Sequence, residues 1–183
     1  MAARGLTSPA RVVLQAGVGS FAAAGLRHYR GAPGGPRTLV VEPTSASCLM
    51  ASARAGDLTL VPGPHDSTMA GLNCGLPSEL VWPVVVAGTD LFVSIDDSYA
   101  ERAMRALAEE GIVSGESGAA GVGGLLALRE QGAVEDVDAA GLRPVACVLL
   151  VNTEGATDPD NYRRVVGRAA EAPQPQSQPE PVP

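Results

Sequence analysis

Lysine is missing from this chain, since all 13 of its basic residues are arginines. It therefore has no side-chain amine with which to condense on a carbonyl group. A net charge of -7, with the arginines scattered along 183 residues, leaves no basic stripe to neutralise a phosphate backbone. Nucleic acid is excluded as an expected partner on that ground. The three cysteines, Cys48, Cys74 and Cys147, form no CxxC pair, and His28 and His65 stand far apart in sequence. Neither a disulfide scaffold nor a zinc site is expected from such spacing. No apolar run approaches the roughly 18 residues of a membrane span. The opening residues do not carry a charged segment followed by a long apolar stretch, so the expected location is cytoplasmic and no membrane contact is expected.

The apolar content of 45% and charged content of 18% are those of one globular domain with a sizeable core. Strands are predicted at 11–15, 38–42, 90–95 and 145–151, with a further one at 58–61. Helices are predicted over 21–29, 48–54, 98–110, 117–131 and 158–168, and a helix start at 78–82. In the 98–110 segment, Tyr99, Ala103, Met104, Leu107 and Ala108 share one face, with Glu101, Arg102, Arg105 and Glu109 opposite. That pattern belongs to a packing helix. Strands alternating with helices, several of the strands apolar throughout, imply an α/β fold: a parallel twisted sheet with helices on both faces. The expected organisation is a lead over 1–10, the domain over 11–168, and a disordered Pro/Gln-rich tail over 169–183.

The first chemically suggestive segment is Gly17-Val18-Gly19-Ser20, which follows a strand and opens a helix. Backbone N–H groups at such a junction can cradle a phosphate. Taken alone, the segment also fits a dinucleotide fingerprint, with Glu42 at the end of the next strand where a ribose-binding acid belongs. An ordinary turn packing a helix on a sheet is the plain alternative. Three further Gly-punctuated polar loops follow, at 71–75, 114–119 and 152–155. Each could be a simple turn, but together they suggest a ligand enclosed from several sides.

In order along the chain, QAGVGSFAAA, VVEPTSASCLMAS, TMAGLNCGLPSELVW, VSGESGAAGVGGLLAL and NTEGATDPDNYRRV resemble successive motifs of the diaminopropionate ammonia-lyase family. That family lies within the tryptophan synthase β-like class of pyridoxal-phosphate enzymes. The resemblance runs over residues 11–166 and implies the C-terminal portion of such a domain. It implies pyridoxal 5'-phosphate as cofactor, held at Gly17, Val18, Gly19 and Ser20, with Glu116 of the SGES turn near the ring edge. It implies Asn152 or Thr153 as the partner of the pyridine nitrogen. The family carries its Schiff-base lysine in a further N-terminal half. The expectation for this chain is a portion of a lyase that eliminates ammonia from 2,3-diaminopropionate, an amino-acid substrate, to give pyruvate. No catalytic residue is assigned within it, and it is expected to be inactive alone. The resemblance further implies a homodimer, and it makes a Cys48–Cys74 disulfide conceivable beside the alternative of two free thiols. A non-catalytic module binding a phosphorylated ligand or a dinucleotide is the second reading.

Overall fold

A computed structural model describes residues 9–31, 34–131 and 147–170. Its centre is a four-stranded sheet of β1 (Arg11–Gln15), β2 (Arg37–Pro43), β3 (Leu91–Ile95) and β4 (Val148–Leu150), ordered β3-β2-β1-β4. Every pairing is parallel, in registers such as Val13 with Leu39, Leu39 with Leu91 and Val13 with Leu150. A parallel sheet needs cover on both faces, and the alternating side chains of the strands find it. On one face Val12, Leu14 and Val40 pack against Ala22, Ala23 and Leu26 of α1 (Ser20–Tyr29), Cys48 and Leu49 of α2 (Cys48–Ala55), and Val85 of α3 (Trp82–Gly88). On the other, Val13, Leu39, Val41, Val93 and Ile95 meet Tyr99 and Ala100 of α4 (Asp97–Glu109) and Ala120, Ala127 and Leu128 of α5 (Glu116–Gln131). A last helix, α6 (Pro159–Val166), buries Tyr162 and Val165 against Ala103, Met104 and Ala119.

The Gly/Ala sequence of α5 lets it lie close on the sheet. A Cβ at Gly124 would stand 2.6 Å from Val41 Cγ2, and one at Gly123 2.9 Å from Ile95 Cδ1. The charged face of α4 behaves as its pattern predicts. Arg102 pairs with Glu130 of α5 at 2.5 Å, and Glu101 receives Arg164 of α6 at 2.7 Å.

Two expectations need correction. Residues 58–61 form no strand; Val61 donates its N–H to the Gly75 carbonyl at 2.8 Å, which ties two parts of one long loop together. The helix expected to start at Ser78 begins at Trp82, where Pro83 occupies the first turn and needs no N–H acceptor. The strand expected over 145–151 is described only at Val148–Leu150, where it is an edge strand. Residues 1–8 of the expected lead and 171–183 of the expected tail lie outside the described residues. Among the described residues no helix is long and apolar enough to cross a membrane.

Candidate functional site

Parallel strands deliver their loops to one end of the sheet, and ligands in open α/β sheets bind there. At the carboxyl ends of β1 and β4 lies a cleft of about 480 Å³, lined by the loop from Gly17 to Phe21, with Gln15, Gly71, Leu72, Cys74, Ser117, Thr153 and Glu154 around it. The three Gly-punctuated loops read from the sequence meet at this end. Gly71 donates its N–H to Ser117 Oγ at 3.2 Å, Ser117 donates its own to Glu154 Oε1 at 2.7 Å, and Ser114 Oγ donates to Asn152 Oδ1 at 2.9 Å. A Cβ at Gly115 would stand 2.6 Å from the Gly155 carbonyl, so glycine there allows two of the loops to touch.

Gly17, Val18, Gly19 and Ser20 form one wall, turning out of β1 into the first turn of α1. Gly19 has φ +98°, a left-handed conformation that glycine adopts without strain. On its far side the loop is fully packed. A Cβ at Gly17 would stand 2.8 Å from Cys74 Sγ, and one at Gly19 3.2 Å from Leu49 Cδ2. The first turn of α1 has no side-chain cap and no acidic residue. Among the described residues no side chain takes its leading N–H groups, which with the positive end of the helix are open to an anion, and a phosphate fits the donor set.

Glu42 is no part of this cleft, and its reading as a ribose-binding acid is overturned. Its fully buried carboxylate accepts the N–H of Leu49 at 2.7 Å through Oε1 and that of Met50 at 2.8 Å through Oε2, capping α2 from within the sheet. Burial pushes its pKa up to about 7, while the two backbone hydrogen bonds pull the other way. Cys48, next on α2, directs Sγ to the Gly17 carbonyl at 3.7 Å. Burial pushes that thiol up to about 12, with further contributions from the Glu42 charge and from Cys74. Cys48 and Cys74 both border Gly17 of the glycine loop as free thiols, so the conceivable bridge is not formed in this structure.

The other predicted residues divide. Thr153 lines the cleft, where its Oγ1 receives Gln15 Nε2 at 2.8 Å. Asn152 is displaced from the expected position, because its amide accepts from Ser114 and donates to the Val113 carbonyl at 2.9 Å, holding the SGES turn from outside. Glu116 is likewise turned away: it is 7% exposed and accepts from Asn161 Nδ2 of α6. Gln15 and Glu154 escaped notice in the sequence. A polar residue closing the apolar run VVL was the available signal for Gln15, whereas nothing local marked Glu154 as the acceptor for the N–H groups of Ser117 and Gly118. Among the described residues no cluster of potential metal ligands occurs.

An open parallel sheet with an unfilled helix start above its carboxyl edge is an α/β arrangement able to receive a phosphate-bearing ligand. Residues 2–142 match the family described as pyridoxal-phosphate dependent enzyme, and the chain belongs to that family, whose cofactor is pyridoxal phosphate. It is similar to diaminopropionate ammonia-lyase of Salmonella typhimurium, being 39% identical over an alignment of 175 residues that covers 88% of this chain and 43% of the relative. The crystal structure of holo diaminopropionate ammonia lyase from Escherichia coli superposes on 91% of this chain and 43% of its own, with a TM-score of 0.78 and 37% identity. A threonine deaminase from Solanum lycopersicum shares the fold over 90% of this chain, with a TM-score of 0.74 at 19% identity. The chain thus spans about 43% of the length of the curated relative it matches.

Proposed function

We propose that this chain forms the phosphate cradle and one side of the ring pocket of a pyridoxal-phosphate-dependent lyase that eliminates ammonia from 2,3-diaminopropionate, leaving pyruvate. The observation that carries the reading is the uncapped start of α1 opening into a cleft bounded opposite by a hydroxyl, that of Thr153. The main-chain N–H groups from Val18 to Ser20 would hold the phosphate, with the α1 dipole adding to their attraction. Leu72, Phe21 and Val18 give the cleft apolar walls that limit water beside the reacting centre. Ser117, fixed by Gly71 and Glu154, holds the SGES turn against the same wall. Thr153 offers its hydroxyl to the ring edge. Pyridoxal phosphate, when bound, supplies a conjugated ring that takes up the electron pair left as a proton leaves the substrate's α-carbon.

Because the chain contains no lysine, covalent attachment of the cofactor and the return of protons fall to residues outside it. Complementation tests this division of labour. The purified chain should release no pyruvate from 2,3-diaminopropionate, and co-expression with the lysine-bearing portion of the E. coli relative should restore release. Pyruvate formation by the chain alone would overturn the proposal. The dinucleotide reading loses its main support with Glu42 buried, and NAD is expected not to bind.

A further inference from the structure

The glycine loop that faces the cleft is bedded on the first turn of α2. A Cβ at Gly19 would stand 3.2 Å from Leu49 Cδ2 and 3.3 Å from Val85 Cγ2, so the left-handed turn lies against those two side chains. Beside it, Cys48 directs its thiol to the Gly17 carbonyl at 3.7 Å. Cys48 and Leu49 are fully buried and open α2, whose place is set by Glu42. That carboxyl group gives one oxygen to the Leu49 N–H at 2.7 Å and the other to the Met50 N–H at 2.8 Å. Two bonds to successive N–H groups fix direction as well as distance.

A cap of that kind carries a cost that a surface cap avoids, since burying a carboxyl group takes it out of water. Ser47 stands at the N-cap position of α2, where a hydroxyl ordinarily serves, and its side chain makes no cap. What Glu42 adds is a tether from β2. The residue before it, Val41, accepts the N–H of Ala16 at 2.9 Å, where β1 passes into the glycine loop. Successive residues of β2 therefore hold the root of the loop and the helix turn that backs it.

We infer that Glu42 is a positioning residue for the phosphate cradle: it seats Leu49 behind Gly19 and so aims the N–H groups of the loop at the phosphate. This rests on the cofactor reading given above. Glu42 itself does not border the cleft, and it acts through the first turn of α2.

The test uses the purified full chain and compares its affinities for pyridoxal phosphate and pyridoxal, whose ratio isolates the phosphate. Glu42→Gln keeps the shape and one acceptor but turns an NH2 toward one of the two α2 N–H groups. The ratio should fall about fivefold, the worth of roughly one hydrogen bond, with the pyridoxal affinity unchanged. Leu49→Ala should lower it similarly, and the double variant should lose little more than either alone, because both changes act on one contact. Val165→Ala, a core change in α6 away from the cleft, should lower the melting temperature and leave the ratio intact. A direct effect of the Glu42 charge on the phosphate would have the opposite sign, since removing like charge raises the ratio. A ratio that rises or holds in Glu42→Gln therefore overturns the inference and leaves the cofactor reading standing. Additive losses in the double variant, or an equal fall in Val165→Ala, overturn it as well. A wild type that binds the two compounds equally overturns both.

Discussion

Two helix starts at the carboxyl end of this sheet face the same electrostatic problem and resolve it differently. At α2 the leading N–H groups are filled from inside by the Glu42 carboxylate. At α1 no side chain among the described residues fills them. Two other starts resemble α2: Glu154 reaches the first turn of α5, and Asp158 caps α6 through the N–H groups of Asp160 and Asn161. A helix start whose leading N–H groups are already taken by a carboxyl group of the chain is closed to a ligand, and one without such a group is available to a ligand's anion. The Glu42 side chain, attractive in sequence as a ligand contact, belongs to the first kind.

The comparison breaks most directly if α1 is given an anion of its own. Ser20→Asp places a carboxylate in the first turn without disturbing the left-handed Gly19. Pyridoxal-phosphate affinity should fall a hundredfold or more, since like charges set together cost several kcal/mol. The melting temperature should hold or rise slightly, because an acid at a helix start stabilises by about 0.3–1 kcal/mol. Gly19→Asp would be a poorer test, because it adds backbone strain and a collision with Leu49 to the charge effect.

The filled start of α2 is probed next, through pH. The Glu42 pKa is raised from 4.5 to about 7, so the fold binds a proton that the unfolded chain releases. Its contribution to stability should be greatest below pH 4.5 and be lost as pH rises to about 7, by up to roughly 3 kcal/mol. Denaturant midpoints measured across that range should show the slope, and Glu42→Gln should flatten it at some loss of baseline stability. A smaller effect is expected at α5. Glu154→Ala removes the acceptor of two N–H groups and should cost about 1–2 kcal/mol by thermal melting. The smallest concerns Cys48, whose thiol pKa of about 12 leaves very little thiolate at neutral pH. Alkylation of the native chain should modify exposed Cys147 first and Cys48 last, and thiol counting after denaturation without reductant should find three thiols.

Much of this was legible in the residues because it is written in main-chain chemistry. The strand–loop–helix at 11–29 follows from an apolar run, two glycines and an amphipathic segment, and the structure has it as β1 and α1. The polar loops at 71–75, 114–119 and 152–155 were visible as Gly-punctuated breaks. What escaped was side-chain direction. Asn152 and Thr153 are adjacent, and only the packing of Ser114 and Val113 sends one outside while the other faces the cleft. Glu42 ends a strand wherever it points, and its turn toward α2 depends on that helix docking beside β2. The apolar segment 58–61 carries strand-like residues, but both sheet edges are formed by other segments, and its register to Gly75 makes a loop tie instead.

The central claim is that the open start of α1 is a phosphate site for pyridoxal phosphate. Calorimetric titration of the purified chain with pyridoxal phosphate and with pyridoxal, which lacks only the phosphate, tests it most directly. Pyridoxal phosphate should bind at least about tenfold more tightly, inorganic phosphate should compete with it, and Ser20→Asp should remove the difference. Equal binding of the two compounds, or a preference that survives in Ser20→Asp, would contradict it.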